Sequence, residues 1–299
     1  MSMDSKGFLT HLPPDKEFLD GLQPGSLYLV ATPIGNLRDI SIRALQVLSL
    51  VDVIAAEDTR RAGILLRAYG IQKPLISCYA HVEEKQSQHI LSLLEEGKTI
   101  AMVSDAGMPG ISDPGTRLVK QAVDAGVKLC VIPGASAGIT ALTGSGLDTD
   151  TYVFCGFFPR SSKDRHAWLE RFVSFHGTLV FYESPKRLLS TLRFLLQEWG
   201  DRRCCVAREL TKHFEDYSRG SLSELIELFS AATSIKGEIV VVIEGQTKSL
   251  DLVVNSDDME QLARELLESG LRKKEASRQL AYKTGQSVRF CYDFLVKMT

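Results

Sequence analysis

The sequence predicts an α/β protein in which two α/β domains are followed by a small all-helical domain. Three observations point to it. Short apolar runs alternate with amphipathic helical stretches, the pattern of a mostly parallel sheet covered on both faces. After Thr149 the alternation starts again. From residue 257 onward the pattern is helical throughout, with Leu262, Leu266 and Leu267 on one stripe. The resulting domains span residues 25–148, 149–248 and 257–299. Residues 1–24 are polar and contain prolines, and they read as a loosely ordered leader without a signal-peptide apolar region.

The totals narrow the function. With 44% hydrophobic residues in 299, the chain can bury sizeable cores. Its formal net charge of -2 means that a nucleic-acid surface must be a local patch. None of the six cysteines forms a C-x-x-C pair, so reduced core thiols are expected. The six histidines show no metal-ligand spacing, and no metal site is expected. No apolar run reaches the roughly 18 residues of a membrane span. No membrane association is expected, and the cytoplasm is the expected location.

The first strand covers residues 26–31 and ends in Thr32-Pro33-Ile34-Gly35-Asn36-Leu37; a helix from about Ser41, its candidate cap, follows to Leu50. Residues 51–56 are the second strand, ending in the charged cluster Glu57-Asp58-Thr59-Arg60-Arg61 before a helix over 62–69. A weaker strand at 75–78 and a helix over 83–95 lead to a strand that opens at residues 98–101. That strand runs into Ser104-Asp105-Ala106-Gly107 and a loop of three glycines and two prolines, before a helix near Thr116. Residues 127–132 are the next strand, ending in Pro133-Gly134-Ala135-Ser136-Ala137 and a helix through about Leu142. In a parallel sheet all carboxyl ends share one edge, so these loops should meet at one crevice.

In the second half, strands at 152–157, 178–182, 203–207 and 239–243 alternate with helices at 162–175, to about 199, and at 222–232. Mixed charges follow two of the strands: Glu183, Lys186 and Arg187, then Arg208, Glu209 and Lys212. From Leu271 to Thr299 seven basic residues face two acidic ones, a surplus of five positive charges. Ala281-x-x-x-Gly285 lies between two helical runs, as in a helix-turn-helix. A basic helical surface of this kind suits phosphate-backbone contact, and a solvated face on a small cap is its other reading.

The crevice loops are poor in lysine and match neither G-x-x-x-x-G-K-[ST] nor G-x-G-x-x-G, which disfavours nucleotide-phosphate binding. Backbone groups, small side chains and carboxylates suit an uncharged nucleoside or a zwitterion. S-adenosylmethionine has both features.

Thr32-Pro33-Ile34-Gly35-Asn36-Leu37-x-Asp39-Ile40, Ala55-Ala56-Glu57-Asp58-Thr59-Arg60, Ser104-Asp105-Ala106-Gly107-x-Pro109-x-Ile111-Ser112-Asp113-Pro114-Gly115 and Pro133-Gly134-Ala135-Ser136-Ala137 resemble the ribosomal RNA small subunit methyltransferase I family. So do Gly156-Phe157-Phe158-Pro159-Arg160, Tyr182-Glu183-Ser184-Pro185-x-Arg187 and Arg208-Glu209-Leu210-Thr211-Lys212. The motifs span about residues 26 to 245 in order; the basic tail resembles the family's small C-terminal domain more loosely. The resemblance implies a class III methyltransferase of the tetrapyrrole methylase superfamily, with S-adenosylmethionine in an interdomain cleft. It further implies a homodimer that 2′-O-methylates a cytidine in the decoding region of 16S ribosomal RNA, free or in the small subunit. Two departures concern the RNA side. The basic residue expected directly after Phe-Phe-Pro-Arg is displaced to Lys163, and the paired glutamates expected after Arg-Glu-Leu-Thr-Lys are Glu215-Asp216.

Residue assignments follow from the loops and this resemblance. The cofactor is expected at Ile34, Ser104, Asp105, Met108, Pro109, Gly134, Ser136, Phe157 and the turn Lys236-Gly237-Glu238. A ribose hydroxyl is a weak nucleophile, so alignment and removal of its proton are the tasks. No histidine stands at a motif strand end. Glu183 is therefore the expected base, with Arg208 orienting phosphate or ribose and Asp58, beside Arg60, as second candidate. RNA contacts are expected at Arg60, Arg61, Arg160, Arg187, Lys212, Arg272, Lys273 and Lys274. A methylase of a small tetrapyrrole and a non-catalytic RNA-binding protein are the alternatives. The charged clusters and basic tail argue against the first, and the intact loops against the second.

Overall fold

The computed structural model describes residues 22–78, 83–113, 115–246, 256–284, 286 and 288–298. Most of the expected leader, Pro114 of the central loop and Gly285 of the helix-turn-helix pattern lie outside these residues. The chain divides into two compact units between Thr140 and Ala141.

The first unit is built from β1 (Ser26–Val30), α1 (Ile42–Leu50), β2 (Val53–Ala56), α2 (Thr59–Ala68), β3 (Leu75–Ser77), α3 (Glu83–Glu95), β4 (Ile100–Val103), α4 (Thr116–Asp124) and β5 (Lys128–Ile132). All its strands are parallel, in the order β3-β2-β4-β1-β5. Every residue of β1 and β4 is buried, which explains their continuous apolar runs. One face is closed by α1 and α2, whose Val47, Leu48 and Leu66 join Val30, Ile54 and Val103 in one core. The other is closed by α3 and α4, whose Ile90, Leu94, Leu118 and Ala122 join Leu29, Ala55 and Met102. Ser41 caps α1 as expected: its hydroxyl accepts from the Ala44 N–H at 3.1 Å. The helix α5 (Ala137–Ser145) spans the division between the units.

In the second unit β6 (Tyr152–Phe157), α6 (Ser162–Phe172), β7 (Thr178–Glu183), α7 (Leu188–Trp199), β8 (Arg203–Arg208), β9 (Asp216–Ser221), α8 (Leu222–Ala231) and β10 (Ile239–Glu244) form a sheet of order β6-β7-β10-β8-β9. The alternation restarts as expected, but the sheet is mixed. Only β6 and β7 run parallel, and β10 lies antiparallel between β7 and β8. Strand β9 has no counterpart in the sequence reading. It pairs antiparallel with β8 through a short hairpin connection, and its half-buried edge residues carry no apolar alternation. An aromatic core fixes the helices on this sheet. Trp168 of α6 stacks on Trp199 of α7 with ring centroids 5.4 Å apart, and Phe158 meets Trp168 edge-on at 5.0 Å.

The last three helices, α9 (Ser256–Glu268), α10 (Lys273–Thr284) and α11 (Val288–Lys297), bury Met259, Ala263, Leu266, Leu280, Cys291 and Leu295 among themselves. None of the six cysteines is in a disulfide, and burial pushes the Cys205 thiol up to about 11 and Cys155 to about 12. Among the described residues no helix is long and apolar enough to cross a membrane, and no His/Cys/Asp/Glu group could hold a metal ion.

Candidate functional site

Strands β1 and β4 are neighbours, yet the helices that follow them lie on opposite faces of the sheet. Their carboxyl ends are therefore the topological switch point, where open α/β sheets bind ligands. The loops lock together there. The Thr32 N–H donates to the Gly107 carbonyl at 2.9 Å and the Gly107 N–H returns to Thr32 at 3.0 Å. The Thr32 hydroxyl donates to the Ser104 carbonyl at 3.2 Å, and the Ser104 hydroxyl to the Gly107 carbonyl at 3.3 Å. Gly107 has φ +82°, and a Cβ there would lie 3.5 Å from Ile34 Cγ2 and 3.6 Å from the Ala135 carbonyl. Three strand-end loops thus converge on one glycine, which makes a cradle of backbone and small groups. Pro109 is buried and Met108 half-buried in the same loop. Ser136 accepts at its carbonyl from Thr140 of α5. Gly134 serves packing as well, because a Cβ there would come 2.8 Å from the Ala31 Cβ.

Three carboxylates stand at this edge. Asp105 Oδ1 accepts from the Asp58 N–H at 3.1 Å, and its Oδ2 pairs with Arg61 at 3.3 Å. Glu57 Oε2 accepts from the Asp105 N–H at 3.5 Å. Burial, then the Asp105 charge, raises the affinity of Glu57 for its proton. Asp113 goes further: burial first, then the charge of Glu57, push its carboxyl up to about 6. Asp113 was not among the expected site residues, although it lies in the loop that holds Ser104 and Asp105. Its perturbation comes largely from burial and from a residue 56 positions away, which adjacency in sequence does not reveal. The neighbouring Asp58 is of another kind. It caps α2 through the Arg60 N–H at 2.8 Å, and the Arg60 side chain holds its carboxyl well below the usual range. So tightly held an anion is a poor proton acceptor.

In the second unit the strand pairing puts Glu183, Ile239, Arg208 and Asp216 in one row across the end of the sheet. Glu183 is buried, and both its oxygens are committed. Oε1 takes the Arg187 guanidinium at 2.6 Å and the Ser184 N–H at 2.6 Å; Oε2 takes the Thr191 hydroxyl at 2.6 Å. Arg187 also donates to the carbonyls of Phe158 at 3.2 Å and Pro159 at 3.4 Å. The pair therefore staples the Phe-Phe-Pro loop to the start of α7. Glu183, the expected base, thus has both oxygens in hydrogen bonds, and Arg187, an expected RNA contact, donates to internal carbonyls as well as to Glu183. Arg208 donates to Asp216 at 3.1 Å, while its buried Nε finds no acceptor among the described residues.

Lys212 is likewise engaged, donating to Glu209 Oε1 at 2.9 Å and Glu238 Oε2 at 3.1 Å. Gly237, at φ +92°, passes so close to Glu209 that a Cβ would sit 2.5 Å from its Cγ. Lys236 and Glu238 flank it, both exposed, and Phe157 is 61% exposed at the end of β6. The expected cofactor residues thus fall on strand ends in both units. Of the expected RNA contacts, Arg60, Arg61 and Arg160 are exposed, the first two beside Asp58 and Asp105. Arg272 and Lys274 are exposed and Lys273 half-buried at the start of α10.

The donor set fits S-adenosylmethionine. The strand-end loops at Gly107 present backbone groups and the apolar Ile34, and the carboxylates Glu57, Asp105 and Asp113 complement a cation while repelling phosphate. A family model described as Tetrapyrrole (Corrin/Porphyrin) Methylases matches residues 26–226. Proteins named ribosomal RNA small subunit methyltransferase I are similar over nearly the whole chain. That of Synechocystis sp. is 43% identical over 275 residues, covering 92% of this chain and 98% of the relative. That of Haemophilus influenzae is 42% identical over 275 residues, covering 90% and 96%. Among solved structures, a diphthine synthase superposes with a TM-score of 0.60 at 16% identity, covering 74% of this chain and 90% of that one. A cobalt precorrin-4 methyltransferase gives 0.55 at 17%, covering 73% and 94%. At such identities these two speak for the fold alone.

Proposed function

The chain belongs to the ribosomal RNA small subunit methyltransferase I family, within the tetrapyrrole methylases, and from that premise we propose that it 2′-O-methylates a cytidine of 16S ribosomal RNA in the small-subunit decoding region. It is an S-adenosylmethionine-dependent methyltransferase. The observation that carries the reading is the 43% identity to the Synechocystis protein over 92% of this chain. Action as a homodimer in the cytoplasm belongs to the same proposal, with residues 25–148 and 149–248 as its α/β domains and 257–299 as a basic RNA-binding domain.

S-adenosylmethionine supplies a methyl group already activated on a sulfonium. The chain has to bind that cation, present the ribose oxygen in line, and let a proton leave. The loops of β1, β4 and β5 supply the binding: Thr32, Ser104 and Gly107 fix the backbone, and Ile34 gives an apolar wall. Asp105 and its neighbours supply negative charge toward the cation. Lys236, Gly237, Glu238 and Phe157 are assigned to the same ligand. With Glu183 and Asp58 both committed, alignment carries the rate, and alignment alone supplies several kcal/mol. Glu183 acts through Arg187 as a positioning residue for the Phe158-Pro159 turn, and Arg208 orients the ribose or phosphate.

The test is transfer of radiolabelled methyl to small subunits that lack the modification, followed by nucleoside mapping. Label at a cytidine whose linkage resists alkali is the expected result, because a 2′-O-methyl group removes the hydroxyl that alkali uses. Label on a base would overturn the ribose assignment. Absence of label on RNA, with label on a uroporphyrinogen-type macrocycle, would return the chain to tetrapyrrole chemistry.

A further inference from the structure

The loop between β8 and β9 carries a phenylalanine out in solvent, on a backbone fixed by hydrogen bonds and ion pairs of its neighbours. Phe214 is 77% exposed, more than any other large hydrophobic side chain among the described residues. The backbone leading to it is strained: Glu209 and Thr211 take positive φ values of 49° and 63°, a region that side-chain-bearing residues enter at a cost. A closed network holds that strain. The Glu209 N–H donates to the Glu238 carbonyl at 3.0 Å, and the Glu238 N–H donates to Glu209 Oε1 at 2.9 Å. Lys212 bridges both carboxylates, and the Thr211 N–H is taken by Glu215. The His213 ring stands edge-on to Phe214, with centroids 4.8 Å apart.

The surroundings select the occupant. Phe214 lies between His213, Lys212 and the acids Glu215 and Asp216, so it is a single apolar disc in a polar setting. One ring is far short of the roughly 1,200 Å² that a stable protein interface buries, but it matches the face of one base. The positive charges nearby are already neutralised: Lys212 by Glu209 and Glu238, Arg208 by Asp216. What the Phe214 ring itself offers is therefore a stacking face rather than a charge. Unpaired bases of RNA are recognised by stacking on such rings.

We propose that Phe214 is a stacking platform for one unpaired base of the RNA substrate. The inference rests on the RNA reading above and adds a base contact to it. A platform of this kind helps hold the target nucleotide out of a helix, where its ribose is open to attack.

Two properties separate this from the basic contacts. Stacking on an uncharged ring contributes affinity without releasing counterions, so its loss leaves the salt dependence of binding unchanged. It also requires a π-face, which leucine lacks. The experiment uses the full chain and a short fluorescein-labelled single-stranded oligoribonucleotide, with binding followed by anisotropy over a range of salt. Phe214→Ala should weaken binding about tenfold with an unchanged slope; Phe214→Trp should restore it and Phe214→Leu should not. Binding by Phe214→Ala within a factor of two of wild type would overturn the proposal. So would full restoration by leucine, which marks a generic apolar contact. A change in sedimentation of Phe214→Ala without RNA would assign the ring to an interface between copies of the chain instead. Failure of the wild type itself to bind the oligoribonucleotide would likewise overturn the stacking proposal, whereas failure to methylate subunits would refute the RNA reading, and this inference with it.

Discussion

Single residues carry two sharp expectations. Asp113 has its carboxyl raised from 3.8 to about 6, by burial first and then by Glu57. The native state thus holds this proton more tightly than the unfolded chain does. The sign follows: stability from this group is greatest below about pH 4, falls as pH rises to about 6, and stays reduced above. Asp113→Asn should therefore raise the melting temperature at pH 7 to 8 and change little near pH 4; an equal shift at both would show that the carboxyl is not perturbed. Binding of the cationic cofactor should favour the ionised form, so calorimetric affinity should increase from pH 5 to 7 in the wild type and stay flat in the asparagine variant. Glu183 sets the second expectation. Glu183→Gln leaves the Arg187 guanidinium without its counter-charge, and breaking a buried pair costs about 3–5 kcal/mol, read as a lower denaturation midpoint. Methylation should then suffer in KM for subunits more than in kcat, because the Phe158-Pro159 turn loosens. A collapse of kcat at unchanged stability would put Glu183 among the reacting atoms. The sequence placed Glu183 correctly at a strand end, yet Thr191, which takes one of its oxygens, is a helix residue eight positions on. Which lone pairs are free is decided by packing, and no strand-end pattern encodes it.

Among the elements, the start of α10 is informative. Arg272 precedes the helix and its carbonyl accepts from Glu275 and Ala276, as an N-cap residue's does. Three cations at a helix N-terminus oppose the macrodipole, so their presence favours a role outside the helix. Replacing Arg272, Lys273 and Lys274 with serine should weaken RNA binding and flatten its salt slope. The same change places a good cap at residue 272 and should not destabilise the bundle, worth about 1 kcal/mol in its favour. An unchanged slope would leave these cations a structural part only. Most elements were legible because a parallel sheet buries strands on both faces and writes them as apolar runs, as in β1 and β4. Strand β9 was not, because Asp216–Ser221 lies at a sheet edge, where half-burial demands no alternation. The antiparallel sense of β10 was equally hidden, since orientation is set by which strands it slots between.

At the scale of the whole molecule, the cofactor is expected to act as a stabiliser. S-adenosylmethionine at a hundred times its dissociation constant should add about 2.7 kcal/mol to the folded state it binds, read as a rise in melting temperature. Absence of any shift at saturating concentration would count against the strand-end assignment. Both sheets seat a later strand between two earlier ones. In the first, β1 and β2 have no pairing with each other and both wait for β4, after which β5 only extends an edge. In the second, the central strand is the last to appear: β7 and β8 have no pairing with each other, and both wait for Ile239–Glu244. A ribosome making this protein must therefore translate some fifty-odd residues past β7 before that strand gains its second neighbour. Until then two apolar edges stand open on the nascent chain, the condition in which strands recruit the wrong partner. An enzyme assigned to finishing ribosomes thus depends on one to deliver its keystone strand late, and chains released before residue 239 should be prime clients for chaperones.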